Sequence, residues 1–409
     1  RYNNLHVIEN VYGISLRPLA VFANERYRDS DYLRYIAAID EYDETGKQVT
    51  DKDVEQTGRM AKAITIIMLK LEGQAIMRHP GFEMEDRLLL NKIDYEKGTI
   101  KIDGKEYELL DKDFPTIDPK NPFELSDEET EVMAAIKANF LSSDKLQNHV
   151  KFLFTSGSMY RCYNGNLLFH GAVPMNEDGT FKSFTYEGHE YYGKALFDYC
   201  IAQARNGFYC AEGTEEKQTG KDFMWWLWCG KFSPLFAREK ITTFERRLID
   251  APELYTEKKD PYYQVIKTAA GCEYILKDFG LGGEHSHIIN GHTPVKAVDG
   301  ENPVKGEGKL IDIDGGFCRA YQKTTGIAGY TLIYNSYTMR LSSHQPFTTR
   351  EDAIENNVDI LSTSSVFERL DNRTKVAETE KGRILKGQIA QLTKLLEAYK
   401  QGVLVEKTE

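Results

Sequence analysis

The sequence predicts a mixed α/β protein. A helix-rich stretch comes first, and from Ser158 onward strands and helices alternate. Two apolar strands end in the same way. Leu167-Leu168-Phe169 runs into His170-Gly171, and Ile288-Ile289 runs into Asn290-Gly291-His292, with a proline soon after each. The later strands follow one another without helices between them, which implies a mixed sheet or two packed sheets.

The 409 residues allow two or three domains, and a hydrophobic content of 41% can build a sizeable core. A net charge of −11 argues against a nucleic-acid partner while leaving room for a local basic pocket. No run of about 18 apolar residues occurs, so neither a spanning helix nor a membrane partner is expected. The six cysteines form no Cys-x-x-Cys pair. Free thiols in a reducing cytoplasm are the expected state. No signal peptide is visible, although the chain opens on Arg1 rather than Met.

Leu5-His6-Val7-Ile8 and Tyr12-Gly13-Ile14 read as short extended pieces before a turn at Arg17-Pro18. Leu19 to Ile39 is expected to be helical, and 41–57 a polar loop. From Gln56 to Met77, Met60, Ile64, Ile67, Leu71 and Ala75 recur at helical steps, and Ile66 and Met68 widen the stripe. This helix is expected to be buried on more than one side and to end at His79-Pro80-Gly81. Glu83 to Lys92 is read as a resumed helix. Thr99 to Leu109 alternates at period two around Asp103-Gly104, a hairpin signature. After prolines 115, 119 and 122, Ser126 and Glu129 form a capping box opening a helix through Val132, Ile136 and Phe140. A second helix is expected from Ser143 to Phe154.

Strands are expected at 158–161, 167–170, 287–290, 309–314, 330–336 and 338–343, and helices at 193–204, 243–248 and 271–279. Asp222 to Cys229 is aromatic-rich; its tryptophans 225, 226 and 228 read as core rather than a sugar platform. Residues 351–409 read as helical and charged. There Leu385, Ile389, Leu392, Leu396 and Tyr399 form one stripe, expected to pack on the protein's own body.

A histidine at a strand end is ordinarily a hydrogen-bonded core or loop residue. Two such ends in one chain, at His170 and His292, bring a ligand role level with that reading. His-Gly-x-x-Pro followed by Asn-Gly-His-Thr-Pro resembles the second half of a calcineurin-like metallophosphatase. The ordered set Tyr163-Asn164-Gly165-Asn166-Leu167-Leu168-Phe169-His170-Gly171, Trp226-Leu227-Trp228-Cys229-Gly230-Lys231, His287 to Val295, Asp314-Gly315-Gly316-Phe317 and Thr324 to Leu332 resembles the class III fructose-1,6-bisphosphatases.

That resemblance implies the C-terminal half of a calcineurin-like β-sandwich flanked by helices. In this division 1–41 is the remainder of an N-terminal catalytic part and 42–155 a mainly helical insertion or cap. Residues 156–350 are the second half of the catalytic domain, and 351–409 a C-terminal helical segment. It implies a gluconeogenic phosphatase that removes the C1 phosphate of fructose 1,6-bisphosphate with two Mn²⁺ or similar ions. Phosphoenolpyruvate and nucleotides are its expected effectors, and a homo-oligomer its expected assembly. Imidazole suits such metals, and two of them about 3.5–4 Å apart clamp the attacking and leaving oxygens.

By the same resemblance His170 and His292 are metal ligands. Lys231 stands where related phosphatases place a phosphate-binding Arg, and Arg238 is a second candidate. Either also reads as a solvated surface cation. Asp314 is the expected partner orienting an imidazole, ahead of Asp312. His287, despite its His-x-His spacing with His285, is read as structural. Arg319 and Lys323 are weaker candidates. The family's earlier Asp-x-His, Gly-Asp-x-x-Asp-Arg and Gly-Asn-His-Asp motifs do not occur. The chain is therefore expected to be the C-terminal portion of such an enzyme, to lack the general acid, and to bind metals poorly by itself. Alternative readings are another calcineurin-like phosphoesterase, acting on phosphoproteins or dinucleotide polyphosphates, and a non-catalytic regulatory module.

Overall fold

The computed structural model describes residues 7–36, 49–317, 319–346, 349–357 and 361–405. In chain order the helices are α1 Arg17–Arg26, α2 Asp51–Arg78, α3 Asp127–Ser142, α4 Asp144–Ser156, α5 Gly193–Tyr209, α6 Glu215–Cys229, α7 Thr243–Leu248, α8 Tyr262–Val265, α9 Ala269–Asp278, α10 Arg319–Thr325, α11 Arg350–Glu355 and α12 Glu380–Lys400. The strands are β1 Ile93–Asp94, β2 Thr99–Ile102, β3 Lys105–Glu108, β4 Tyr160–Tyr163, β5 Asn166–Phe169, β6 Phe184–Tyr186, β7 His189–Tyr191, β8 Ile288–Asn290, β9 Val304–Lys305, β10 Leu310–Asp312, β11 Gly329–Tyr334, β12 Thr338–His344 and β13 Ser362–Arg369. The fold is mixed α/β with several small sheets.

Two compact units divide the chain. The first comprises Arg1–Ser158, Ser183–Tyr191 and Asp198–Asp260. Its axis is α2, whose N-terminus is closed by a capping box between Thr50 and Asp53. Ile66 and Ile67 of α2 are fully buried with Phe22, Tyr27, Ile100, Val132 and Leu248 in one core. The predicted Ser126–Glu129 box opens α3 as expected. The predicted hairpin is β2–β3, with Asp103 at φ +49° and Gly104 at φ +82°, the paired positive angles of a tight two-residue turn. A second aromatic core gathers Phe82, Phe184, Tyr186, Phe223 and Trp226. Trp226 is buried as predicted, whereas Trp228 is 48% exposed.

The helix expected over 83–92 is instead a series of single 3₁₀ turns at Pro80–Phe82, Glu85–Arg87 and Leu90–Lys92. Glu83 takes a left-handed φ of +52°, which interrupts any continuous helix, and adjacent Leu89 and Leu90 are both buried. The helix expected over 19–39 stops at Arg26. Tyr27 is buried and caps it, and Leu33–Tyr35 forms a separate turn, while 37–39 lie outside the described residues. Residues 41–48 of the loop expected over 41–57 lie outside them too, and α2 claims residues from Asp51.

The second unit comprises Met159–Lys182, Tyr192–Phe197 and Pro261–Glu409. Its five-stranded sheet runs β4-β5-β8-β10-β9. The three central strands are parallel: Leu167 pairs with Ile288, and Ile288 with Leu310. Both Ile288 and Leu310 are fully buried, as expected where a parallel sheet is covered on both faces. A second sheet, β11-β12-β13, is antiparallel. Ile289 and Ile311 of the first sheet share a core with Tyr330, Met339 and Leu341 of the second.

Two expectations for the C-terminal region are corrected. Residues 362–369 are a strand, paired with β12 from Thr338–Arg369 to His344–Ser362. The stretch Ser-Thr-Ser-Ser-Val-Phe suits an extended edge better than a helix. The stripe on α12 does not pack on the body: Leu385, Ile389, Leu392, Leu396 and Tyr399 are all exposed.

Candidate active site

Parallel pairing brings the ends of β5, β8 and β10 to one edge, the edge where α/β sheets bind ligands. His170 is the residue after β5, and His292 stands two residues after β8. The Gly291 N–H donates to the His170 carbonyl at 3.1 Å, locking the two strand ends together. His292 then takes a left-handed φ of +72°. The result is a pair of imidazoles, His292 Nδ1 lying 3.1 Å from His170 Nε2, with ring centroids 5.0 Å apart at 79°. Two predicted candidates separated by 122 positions (292 − 170) are thus side by side.

Asp314 follows β10 on the same edge. Its carbonyl accepts from the Val295 N–H at 2.8 Å, and its Oδ1 accepts from the Gly316 N–H at 3.0 Å. It lies against Gly291, where an added Cβ would stand 3.4 Å from the Asp314 Cβ. Gly315 has no alternative: a Cβ there would come within 2.5 Å of the Gly329 backbone. Asp312 is buried at the end of β10 and meets Lys305 at 3.2 Å. Burial pushes its carboxyl up to about 6 even though Lys305 opposes the shift.

Asn290 is a residue whose role sequence reasoning missed. It is 4% exposed. Its Nδ2 donates to the Tyr262 hydroxyl at 2.8 Å, whereas its Oδ1 is buried without a hydrogen-bond partner. The signal was its place directly before Gly-His; its partner Tyr262 comes from α8, 28 residues upstream. A buried orphan oxygen is costly unless something charged or donating meets it.

That oxygen and the imidazole pair test whether a divalent metal suits this edge. Two nitrogens each about 2.0–2.1 Å from one tetrahedral ion stand roughly 3.3 Å apart, close to the imidazole spacing. The donor types fit a transition metal. They supply only part of a site: among the described residues no group of three or more His, Cys, Asp or Glu is arranged to hold a metal.

Lys231 and Arg238 belong to the first unit. Lys231 is half-buried, and the Arg238 guanidinium is 3.8 Å from Glu257. Lys323, in α10, is exposed. His285 and His287 both face Glu368, at 2.8 and 3.0 Å. His287 Nδ1 also meets the Gly308 carbonyl at 2.9 Å, which fixes the ring as a structural tie.

Two strand-end histidines on a mixed α/β scaffold do not by themselves define a family. The sequence itself is decisive: the chain belongs to the Firmicute fructose-1,6-bisphosphatase family, whose pattern it matches over residues 1–401. It is 50% identical over 406 residues to a fructose-1,6-bisphosphatase class 3 of Clostridium acetobutylicum, covering 99% of this chain and 60% of that protein. The corresponding protein of Alkaliphilus metalliredigens is 50% identical over 408 residues, with 99% and 61% covered. That of Listeria monocytogenes is 49% identical over 406 residues, with 99% and 62% covered. The chain therefore spans about three-fifths of the length of the curated relatives it matches. No solved structure matches it. Among the described residues no helix is long and apolar enough to cross a membrane.

Proposed function

We propose that this chain carries the activity its relatives are named for, the hydrolysis of fructose 1,6-bisphosphate at C1 to fructose 6-phosphate and inorganic phosphate. As a gluconeogenic step it would run in the cytoplasm. The observation that carries the reading is the imidazole pair at the ends of two adjacent parallel strands. His170 and His292 would each offer one ring nitrogen to a divalent ion such as Mn²⁺, and Asn290 Oδ1 a neutral oxygen. Such an ion supplies positive charge toward the phosphoryl oxygens and a more acidic bound water.

The chain's own residues do the positioning. The Gly291–His170 backbone bond holds both imidazoles at one spacing. Asp314, beside Gly291, would restrain the His292 loop. Lys231 and Arg238, on the first unit, are the cations proposed to bind a substrate phosphate. We place the remaining carboxylate ligands and the general acid in the part of the family's length that this chain does not span. The shared core of the two sheets supports reading them as halves of a calcineurin-like sandwich, and residues 42–155 as its helical cap.

The test is phosphate release from fructose 1,6-bisphosphate with Mn²⁺, in a protein extended to the full family length. Activity is expected, and His170→Ala and His292→Ala should each lose about 100-fold or more. Variants as active as the parent would overturn the assignment. Calorimetry of the 409-residue chain should show only weak Mn²⁺ binding; tight stoichiometric binding would contradict an incomplete ligand set.

A further inference from the structure

His292 is the centre of a γ-turn. The Thr293 N–H donates to the Gly291 carbonyl at 2.9 Å, and the φ of +72° at His292 is that of the rare, strained form of this turn. Glycine would adopt such a backbone without strain, but only a side chain can meet His170. A non-glycine residue held this way costs about 1–3 kcal/mol and persists only where its surroundings enforce it. The residues on either side of His292 must therefore be fixed.

Both are fixed from one short helix. Pro261 opens α8, and Tyr262 and Tyr263 follow it directly. Consecutive residues of a helix point about 100° apart, so the two side chains reach opposite ends of the turn. The Tyr262 hydroxyl accepts from Asn290 Nδ2 at 2.8 Å, ahead of the histidine. The Tyr263 hydroxyl accepts from Thr293 Oγ1 at 3.1 Å, just after it. The helix is itself anchored, because the Ile266 N–H donates to the Tyr262 carbonyl at 3.0 Å and both residues are buried. Tyr262 also packs edge to face on Phe169, the residue before His170, with centroids 6.1 Å apart. Asn290 Nδ2 stands 3.4 Å from the carbonyl of Gly171, the residue after His170. Tyr262 and Asn290 together thus tie the end of β5 to the end of β8.

We propose that Tyr262 and Tyr263 are positioning residues, which hold the Asn290–Thr293 turn so that its strained backbone keeps the His292 imidazole beside that of His170. The inference rests on the reading of that pair as metal ligands. Without the hydroxyls the turn relaxes toward ordinary backbone angles, and a divalent ion loses one of its two nitrogens.

Mn²⁺ calorimetry on the protein extended to the full family length tests it, with His292→Ala as the reference for loss of a ligand. Tyr263→Phe and Thr293→Val should each weaken Mn²⁺ affinity about 10-fold, the lower end of what losing an outer partner of a metal ligand costs. Both remove the same hydrogen bond, so the double variant should bind no more weakly than either single one. Thr293→Ser keeps the hydroxyl and should bind as the parent does. Tyr263 and Thr293 are half-buried, so their metal-free variants should melt close to the parent, whereas Tyr262→Phe, in a fully buried position, should lower both affinity and melting temperature. With His292→Ala still weakening Mn²⁺ binding, three results would overturn this proposal alone: Thr293→Val binding as the parent does, Thr293→Ser binding as weakly as Thr293→Val, or a double variant that multiplies the two single losses. His292→Ala binding Mn²⁺ as tightly as the parent would overturn the ligand reading and this proposal with it.

Discussion

In the unit built on α2, Lys70 and Glu129 are both fully buried and meet at 2.6 Å, and Lys62 meets Asp111 at 2.8 Å. In the unit built on the parallel strands, the conspicuous polar groups lie at an edge. Two imidazoles face one another at 3.1 Å, and Asn290 keeps a buried oxygen without a partner. The first arrangement consumes charge to fix packing, since Lys70 also donates to the Thr116 carbonyl and Glu129 also closes the α3 cap. The second gathers neutral nitrogen and oxygen donors at one strand-end edge. Opposite charges paired in a core hold structure, even though Glu129 Oε1 is itself buried without a hydrogen-bond partner; two imidazoles brought together at a strand-end edge offer ring nitrogens that can hold a ligand.

The sharpest way to break this contrast is to remove one member of the buried pair. Glu129→Ala leaves Lys70 charged in the core and also opens the α3 cap. It should cost about 3–5 kcal/mol in chemical denaturation. Lys70→Met with Glu129→Leu should recover much of that loss, because the penalty comes from an unpaired charge rather than from losing an attraction. A single variant as stable as the parent would show that Lys70 reaches solvent.

The imidazole edge should respond in the opposite sense. His292→Ala should change the denaturation free energy by less than about 1 kcal/mol, because the ring is only half-buried. In a full-length protein it should nevertheless lower phosphate release about 100-fold, or roughly 2.7 kcal/mol of barrier. If stability and activity fell together, the histidine would be a packing residue and the contrast would fail.

Much of the first unit was legible because its signals are local. Ser126 and Glu129 are three residues apart, Asp103 and Gly104 adjacent, and α2 announces itself by period. The edge in the second unit was legible only in part. His170 and His292 each stand out at a strand end. Their adjacency comes from parallel pairing between strands separated by most of a domain, and no local pattern encodes it. Asn290 gives no local sign of its role, because the hydroxyl that accepts from its Nδ2 while Oδ1 stays without a hydrogen-bond partner belongs to Tyr262, on another element. Glu83 takes its left-handed φ of +52° between buried Phe82 and Met84, and nothing in its residue type signals that conformation. The exposure of α12 was invisible for a simpler reason. A stripe states that a helix has a partner, and it does not state whether that partner is the same molecule.

A smaller test concerns Asp222 in the first unit. Burial works to raise its carboxyl, but hydrogen bonds from His79 and Arg78 outweigh it and hold the group down at about 2. A depressed carboxylate contributes stability that is present above about pH 4 and is lost as pH falls toward 2. Arg78 is 41% exposed, so solvent screens part of the effect. Asp222→Asn should cost about 2 kcal/mol at pH 7, and the gap from the parent should narrow in melts below pH 3.

Asp312 offers the mirror case beside the candidate site. Its carboxyl rises from an ordinary 3.8 to about 6, first because of burial, with Lys305 pulling the other way. The folded state therefore holds a proton more tightly than the unfolded chain between those values. The stability this group contributes is complete below about pH 4 and is lost as pH rises through 6. Asparagine removes the charge and keeps the shape, while Lys305 retains Glu301 at 2.8 Å. The full shift corresponds to about 3 kcal/mol, of which about 1 kcal/mol falls between pH 5 and pH 7. Relative to the parent, Asp312→Asn should therefore gain about that much between pH 5 and pH 7, read as a widening difference in melting temperature. A constant difference across that range would mean that Lys305 keeps the carboxylate fully ionised. The strand-end edge would then satisfy its charges as completely as the α2 core does.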